Sequence, residues 1–95
     1  MYTGQALAEA GQMEEAASAY RAVLALQAGH AAALNGLGNI AVTQADLDTA
    51  LEYFDQAVRA QPDAAYVRVN RGCLYRTLGR FDDALADLDL AVKLA

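Results

Sequence analysis

Cys73 and His30 are the only cysteine and the only histidine in the chain, and in kind they would serve as a nucleophile and its base. That chemistry needs the two side chains within hydrogen-bond reach. His30 falls on a turn between helices, so a half-buried small residue is the plainer reading of Cys73. One histidine and one cysteine also fall short of any zinc set. The carboxylates Glu14, Glu15, Glu52, Asp55, Asp82, Asp83, Asp87 and Asp89 could in kind supply an acid–base pair or calcium ligands. They are strung along outward helical positions without a ligand loop, which is the pattern of a solvated face. No glycine-rich phosphate loop follows a strand, because no strand pattern is present. Recognition remains as a chemical capacity. An asparagine amide, as at Asn39 and Asn70, offers both donor and acceptor; it can bracket an extended peptide backbone or bond to a neighbouring helix. Four of the seven basic residues, Arg68, Arg71, Arg76 and Arg80, lie together near the carboxyl end. Arg76 shares a helical stripe with Val69 and Cys73, whereas Arg68 and Arg71 fall on the side that covers a helix-pair interior.

Elements of modest size must position these groups. At 95 residues the chain is a single domain, and a core of that size leaves a thin margin between burial and conformational entropy. Apolar residues make up 56%, yet aromatics only 7% with no tryptophan, so alanine carries much of the apolar share and the composition favours helix. A net charge of −5 repels nucleic-acid phosphates and an anionic membrane surface, so neither nucleic acid nor membrane insertion is expected. A single cysteine forms no internal disulfide, nothing demands an oxidising compartment, and a cytoplasmic location is the default. The amino-terminal stretch lacks the basic start and apolar core of a secretion signal. No apolar run approaches the length of a bilayer span.

Sliding the chain by thirty-four residues superposes Gly4, Gly38 and Gly72; Met13, Leu47 and Phe81; Ala16, Ala50 and Ala84; and Tyr20, Phe54 and Leu88. The same shift pairs Leu51 with Leu85, Ala57 with Ala91 and Val58 with Val92, a period that marks a repeat array. Within a unit, Leu47, Ala50, Leu51, Phe54, Ala57 and Val58 recur at three- and four-residue steps, the period of a helix with one buried face. The spacing predicts helices near 2–10, 13–27, 31–43, 47–60, 64–77 and 81–94. Gly11 and Gly79 stand where a helix end needs a left-handed residue, and Ala45 occupies the same place at a strain of about 1 to 2 kcal/mol. Glu14, Glu15, Asp48, Asp82 and Asp83 open second helices and complement their dipoles, while Pro62 and Asp63 end one helix and cap the next. Gly38 and Gly72 on first helices, facing Ala50 and Ala84 on second helices, let backbones approach, and Phe54 and Leu88 fill the space beside them.

This pattern resembles the tetratricopeptide repeat family, whose signature W-x2-L-G-x2-Y, then A-x3-F, A and P describes a helix-turn-helix unit. The middle unit supplies Leu34, Leu37, Gly38, Ala41, Ala50, Phe54, Ala57 and Pro62. The third supplies Gly72, Tyr75, Gly79, Phe81, Ala84, Leu88 and Ala91, with Arg68 and Arg71 in place of the expected aromatic and leucine, their aliphatic stems covering the pair. The first keeps Gly4, Leu7, Gly11, Ala16 and Tyr20. The resemblance implies an all-α chain: an α-solenoid, a right-handed superhelix of three antiparallel helix-turn-helix units and six helices. Residues 1–95 then form one domain, with units at about 1–30, 31–64 and 65–95.

The resemblance further implies a binding protein and not an enzyme, with no cofactor and no metal. First helices of such arrays line a concave groove that holds a peptide or a partner helix. Carried over by position, the groove residues are Gln5, Asn35, Asn39, Thr43, Tyr66, Val69, Asn70, Cys73 and Arg76, with Glu9, Ala32, Val42 and Thr77 beside them. In the expected arrangement Asn39 and Asn70 grip a partner backbone and Arg76 meets an acidic group. One subclass clamps the acidic tails of heat-shock chaperones with lysines, asparagines and an arginine; the matching places here hold Met1, Gln5, Gly36, Tyr66 and Asn70, so that clamp is missing. The alternative is a self-assembly module in which end helices pair between copies. Leu85, Leu88 and Val92 lie at an edge that an extra helix usually shields, so the chain is expected either to form a homo-oligomer or to continue into a longer array. An RNA reader would need a more basic groove.

Overall fold

A computed structural model of the chain describes residues 2 to 94, with side chains from 11 to 94. The described residues form α-helices and no strand: α1 (Tyr2–Leu26), α2 (Ala31–Thr43), α3 (Leu47–Ala60), α4 (Ala65–Thr77) and α5 (Phe81–Leu94). Five helices stand where six were expected, because the two expected near 2–10 and 13–27 are one continuous α1. Gly11 does not adopt the left-handed conformation expected of it. Carrying a helix through one glycine costs about 1 kcal/mol, whereas ending it would orphan a turn of backbone groups. A new start also needs a cap, and Gln12 stands where Asp46 caps α3. Glu14 and Glu15 consequently lie inside a helix and not in its first turn.

The later turns follow the expected chemistry. Ala45 has φ of 62° and Gly79 has φ of 80°. Around Ala45, the Asp46 amide donates to the Ala41 carbonyl and the Ala45 amide to Val42, both at 2.9 Å. Around Gly79, the Arg80 amide donates to Tyr75 at 2.8 Å and the Gly79 amide to Arg76 at 3.0 Å. These are paired closures of the same helix-end motif. Asp46 Oδ1 then accepts from the Thr49 amide and caps α3, and Asp48, Asp82 and Asp83 sit in the first turns of α3 and α5. His30 lies on the turn between α1 and α2 as expected and adds a cap to α2 through Nδ1, which accepts from the Ala33 amide at 3.1 Å; one expected cap is absent. Asp63 caps nothing, because α4 starts after Ala64 without a side-chain cap.

α2 packs against α1, α3 and α4, and α4 packs against α3 and α5, so each helix added in chain order rests on its predecessors. Phe54 is fully buried between α2, α3 and α4 with Ala41, Ala50 and Leu74, flanked by Leu47, Leu51 and Leu78. A second cluster joins Leu34, Ala57, Ala64 and Val67 with Leu24, Tyr53 and Val58. The glycines set the approach as expected: a Cβ on Gly38 would lie 2.5 Å from the Phe54 ring, and one on Gly72 would lie 3.0 Å from Leu88. Gly36 adds an approach the repeat did not reveal, since a Cβ there would enter the Tyr20 ring of α1. Leu85 and Val92 are 59% and 77% exposed, the uncovered edge anticipated for α5, whereas Leu88 is half-buried over Gly72.

Candidate functional site

Two first helices of the expected repeat, α2 and α4, lie against each other and turn one face outward. On it, Asn39, Thr43, Tyr66, Val69, Cys73 and Arg76 are exposed, and Asn35 and Asn70 are half-buried at the seam. The period explains this: Asn35, Asn39 and Val42, like Tyr66, Val69, Asn70 and Cys73, recur at three- and four-residue steps, while Leu34, Leu37, Val67 and Leu74 between them are buried. Of the expected contact residues, Gln5 lies outside the residues whose side chains are described; the other eight are exposed or half-buried on α2 and α4.

The seam is closed by a bond between helices. Asn70 Nδ2 donates to Asn35 Oδ1 at 2.9 Å, so each amide is oriented and retains polar atoms for another group. Asn70 therefore takes the second of the roles open to it, a bond to a neighbouring helix. Thr43 Oγ1 donates to the Asn39 carbonyl and Thr77 Oγ1 to the Cys73 carbonyl, each at 3.1 Å, which commits both hydroxyl protons to their own helices. Cys73, expected to be half-buried, is an exposed free thiol because it falls on the outward stripe of α4, and His30 Nδ1 is occupied as a cap; the two share no hydrogen bond among the described residues. No group of three potential metal ligands occurs among the described residues. The face mixes exposed Val42, Tyr66 and Val69 with amides, and the charge that α2 and α4 bring to it is cationic: α2 carries no ionisable residue, and the ionisable side chains of α4 other than Tyr66, Cys73 and Tyr75 are arginines.

The arginines divide as their helical positions imply, with one surprise. Arg76 is exposed and makes no ion pair among the described residues. Arg68 and Arg71 turn inward, yet their ends as well as their stems are engaged. Arg71 grips Asp87 through Nε and Nη2 at 2.7 and 2.8 Å and reaches Asp55 through Nη1 at 3.0 Å. Arg68 donates to Asp87 at 3.3 Å and to the Pro62 carbonyl at 2.9 Å. Asp87, expected on a solvated face, is only 3% exposed. Its hydrogen bonds hold the Arg71 guanidinium above its ordinary range against the opposing effect of burial. The signal was legible as a joint exchange: two apolar positions of the middle unit become arginine while Tyr53 becomes Asp87. The Tyr75 ring lies between Arg80, 4.6 Å away, and Arg71, 5.5 Å away, and burial raises its hydroxyl above the usual tyrosine value although both arginines oppose the rise.

The family model described as "Tetratricopeptide repeat" matches residues 3–65 and again 36–95. No curated protein matches the sequence. Among solved structures, the crystal structure of MamA superposes with a TM-score of 0.79 at 22% identity, over 96% of this chain and 53% of that one. A second MamA structure gives 0.75 at 22% identity, over 96% and 50%, so this chain spans about half the length of those relatives. The second repeat domain of Spaghetti (RPAP3), bound to the HSP90 peptide SRMEEVD, gives 0.81 at 18% identity, over 98% and 86%. At such identities the likeness is one of fold. No described helix is long and apolar enough to cross a membrane.

Proposed function

The chain belongs to the tetratricopeptide repeat family, and on that premise we propose that it is a binding scaffold without catalytic chemistry. It holds an extended peptide or partner helix on the outward face of α2 and α4, the concave face of a right-handed solenoid. The observation that carries this reading is the bonded Asn35–Asn70 pair set among exposed Val42, Tyr66 and Val69. Oriented amides offer backbone contacts, and the apolar residues offer area to bury. No carboxylate on either helix opposes an acidic group, so Arg76 meets an acidic side chain or a terminal carboxylate despite the chain's negative charge. A neighbour of like fold holds a peptide. The heat-shock clamp does not transfer, because Gly36, where it needs an asparagine, is buried beneath Tyr20.

The test is affinity capture followed by calorimetric titration of the captured partner against Asn70→Ala and Arg76→Ala. Asn70→Ala should cost about 0.5 to 1.5 kcal/mol of binding. Arg76→Ala should cost about 1 kcal/mol or less while the contact stays wet, and more if the partner shields it. Unchanged affinity in both folded variants rules out this face. A second reading, self-assembly through the end helices, is favoured by one observation: Phe81, Leu85 and Val92 lie exposed along one stripe of α5. Sedimentation over a range of concentrations separates the two, since a monomer at the highest concentration counts against self-assembly.

A further inference from the structure

Two grooves lie on the side of α2 and α4 opposite the asparagines, one bounded by α1 and α3 and the other by α3 and α5. They are built from positions thirty-four residues apart. In the second, α4 fills the space from below: Tyr75 lies in the groove, Arg80 stacks on its ring at 4.6 Å and pairs with Asp83 at 2.7 Å, and Arg71 closes the far end on Asp55 and Asp87. In the first, the equivalents of Tyr75 and Arg71 are Ala41 and Leu37, and the space stands open as a cleft of about 170 Å³. A cavity of about 150 Å³ accepts benzene, so by volume the cleft admits one aromatic ring, over a floor of buried Ala17, Leu37 and Ala41 and between polar walls.

Its charges say what accompanies the ring. Where Arg80 caps the tyrosine in the filled groove, the open one has Asp46, and Glu14 lines the same cleft. Where Asp55 and Asp87 take a guanidinium in the filled groove, the open one has Arg21 and Tyr53, which offer no acid there. A cation entering with the ring is drawn to Asp46 and Glu14 and repelled by Arg21, in the polarity that the chain's own Tyr75 and Arg80 display. We propose that the cleft between α1 and α3 is a docking pocket for an aromatic side chain of a partner protein that carries an arginine or lysine beside it. This pocket is separate from the α2–α4 face, and the two stand or fall independently.

The probe is the blocked dipeptide acetyl-Tyr-Arg-amide, titrated into the full chain with alanine methyl groups labelled for NMR. Saturable shifts are expected at Ala17 and Ala41, with Ala32 on the other face unmoved. Acetyl-Tyr-Glu-amide should bind more weakly. The double variant Glu14→Gln, Asp46→Asn keeps the α3 cap and should weaken the arginine probe roughly three- to tenfold, the worth of two exposed charge contacts. Ala41→Tyr should fill the cleft and abolish binding; because Ala41 is buried, the double variant decides if that protein does not fold. No saturable shift at the solubility limit, equal affinity for the two dipeptides, or shifts centred on Ala32 would overturn the proposal.

Discussion

The α2–α3 and α4–α5 hairpins share turns, small-residue contacts and helix bounds, yet they fill their interfaces with opposite chemistry. Leu34, Leu37, Ala41 and Tyr53 of the first correspond to Arg68, Arg71, Tyr75 and Asp87 of the second. The first interior is apolar around Phe54; the second is an ionic cluster that also reaches Asp55 on α3. Backbone spacing is common to both because Gly38 against Phe54 and Gly72 against Leu88 set it. What fills the outer part of the interface can then vary, provided the filling is complete. Carboxylate and guanidinium meet that condition only as a set, since their desolvation is offset only when each lone pair and donor finds a partner. No buried side-chain polar atom is left unpaired among the described residues.

The largest expected effect breaks that set. Asp87→Ala leaves Arg68 and Arg71 half-buried without their shared carboxylate and should cost about 3 kcal/mol, read from the urea midpoint. Converting the second interface into the first, as the triple variant Arg68→Leu, Arg71→Leu, Asp87→Tyr, should instead be neutral or stabilising by about 1 to 4 kcal/mol. If the triple variant is as unstable as Asp87→Ala, the two fillings are not interchangeable. Next, Gly38→Ala should cost about 1 to 3 kcal/mol, because the fully buried Phe54 ring cannot yield. Gly72→Ala should cost less, about 0.5 to 1 kcal/mol, since Leu88 and the Ala84 carbonyl must each give by only a few tenths of an ångström and alanine gains helix propensity. Equal thermal midpoints for those two would refute the difference in packing.

The turns sharpen the comparison at a smaller scale. Ala45→Gly should stabilise by about 0.5 to 1 kcal/mol, the relief of left-handed strain less the added freedom of the unfolded chain, and raise the melting temperature by a few degrees. The smallest effect is confined to the second hairpin at alkaline pH. The Tyr75 hydroxyl titrates higher in the folded chain than in the unfolded one, so its contribution is complete below the ordinary tyrosine value near 10 and is lost as pH rises through the folded value. Tyr75→Phe should flatten that part of the stability–pH profile, and an unchanged slope would show that Tyr75 is not its source.

Much of the architecture is legible in the sequence. The helices expected at 31–43, 47–60 and 81–94 match α2, α3 and α5, and 64–77 differs from α4 by one residue. Period, glycine placement and capping are local, and each is written in a few adjacent residues. Helical spacing likewise separates Asn35 and Asn39 from the buried Leu34 and Leu37, whereas the choice of α2 and α4 as a binding face comes only from the family resemblance. The left-handed Ala45 was legible by register, since it falls where the repeat places Gly79.

Tertiary structure decided what depends on two distant segments meeting. The continuous α1 is the exception among the helices, since the repeat register alone points to a break at Gly11 although Gln12 supplies no cap there. Asp87 looks like a surface acid from its own helix, and its burial follows only when α4 brings two arginines over it. That Asn70 bonds to a neighbouring helix, and to Asn35 in particular, follows only once α2 and α4 lie together. The open cleft arises likewise: Ala41 and Leu37 are ordinary core residues in sequence, and only α1 standing apart from α3 leaves space above them. Helix positions are fixed by short-range energetics along the chain, whereas pairings and cavities are fixed by packing offsets of a few ångströms between helices, which many sequence-distant contacts share.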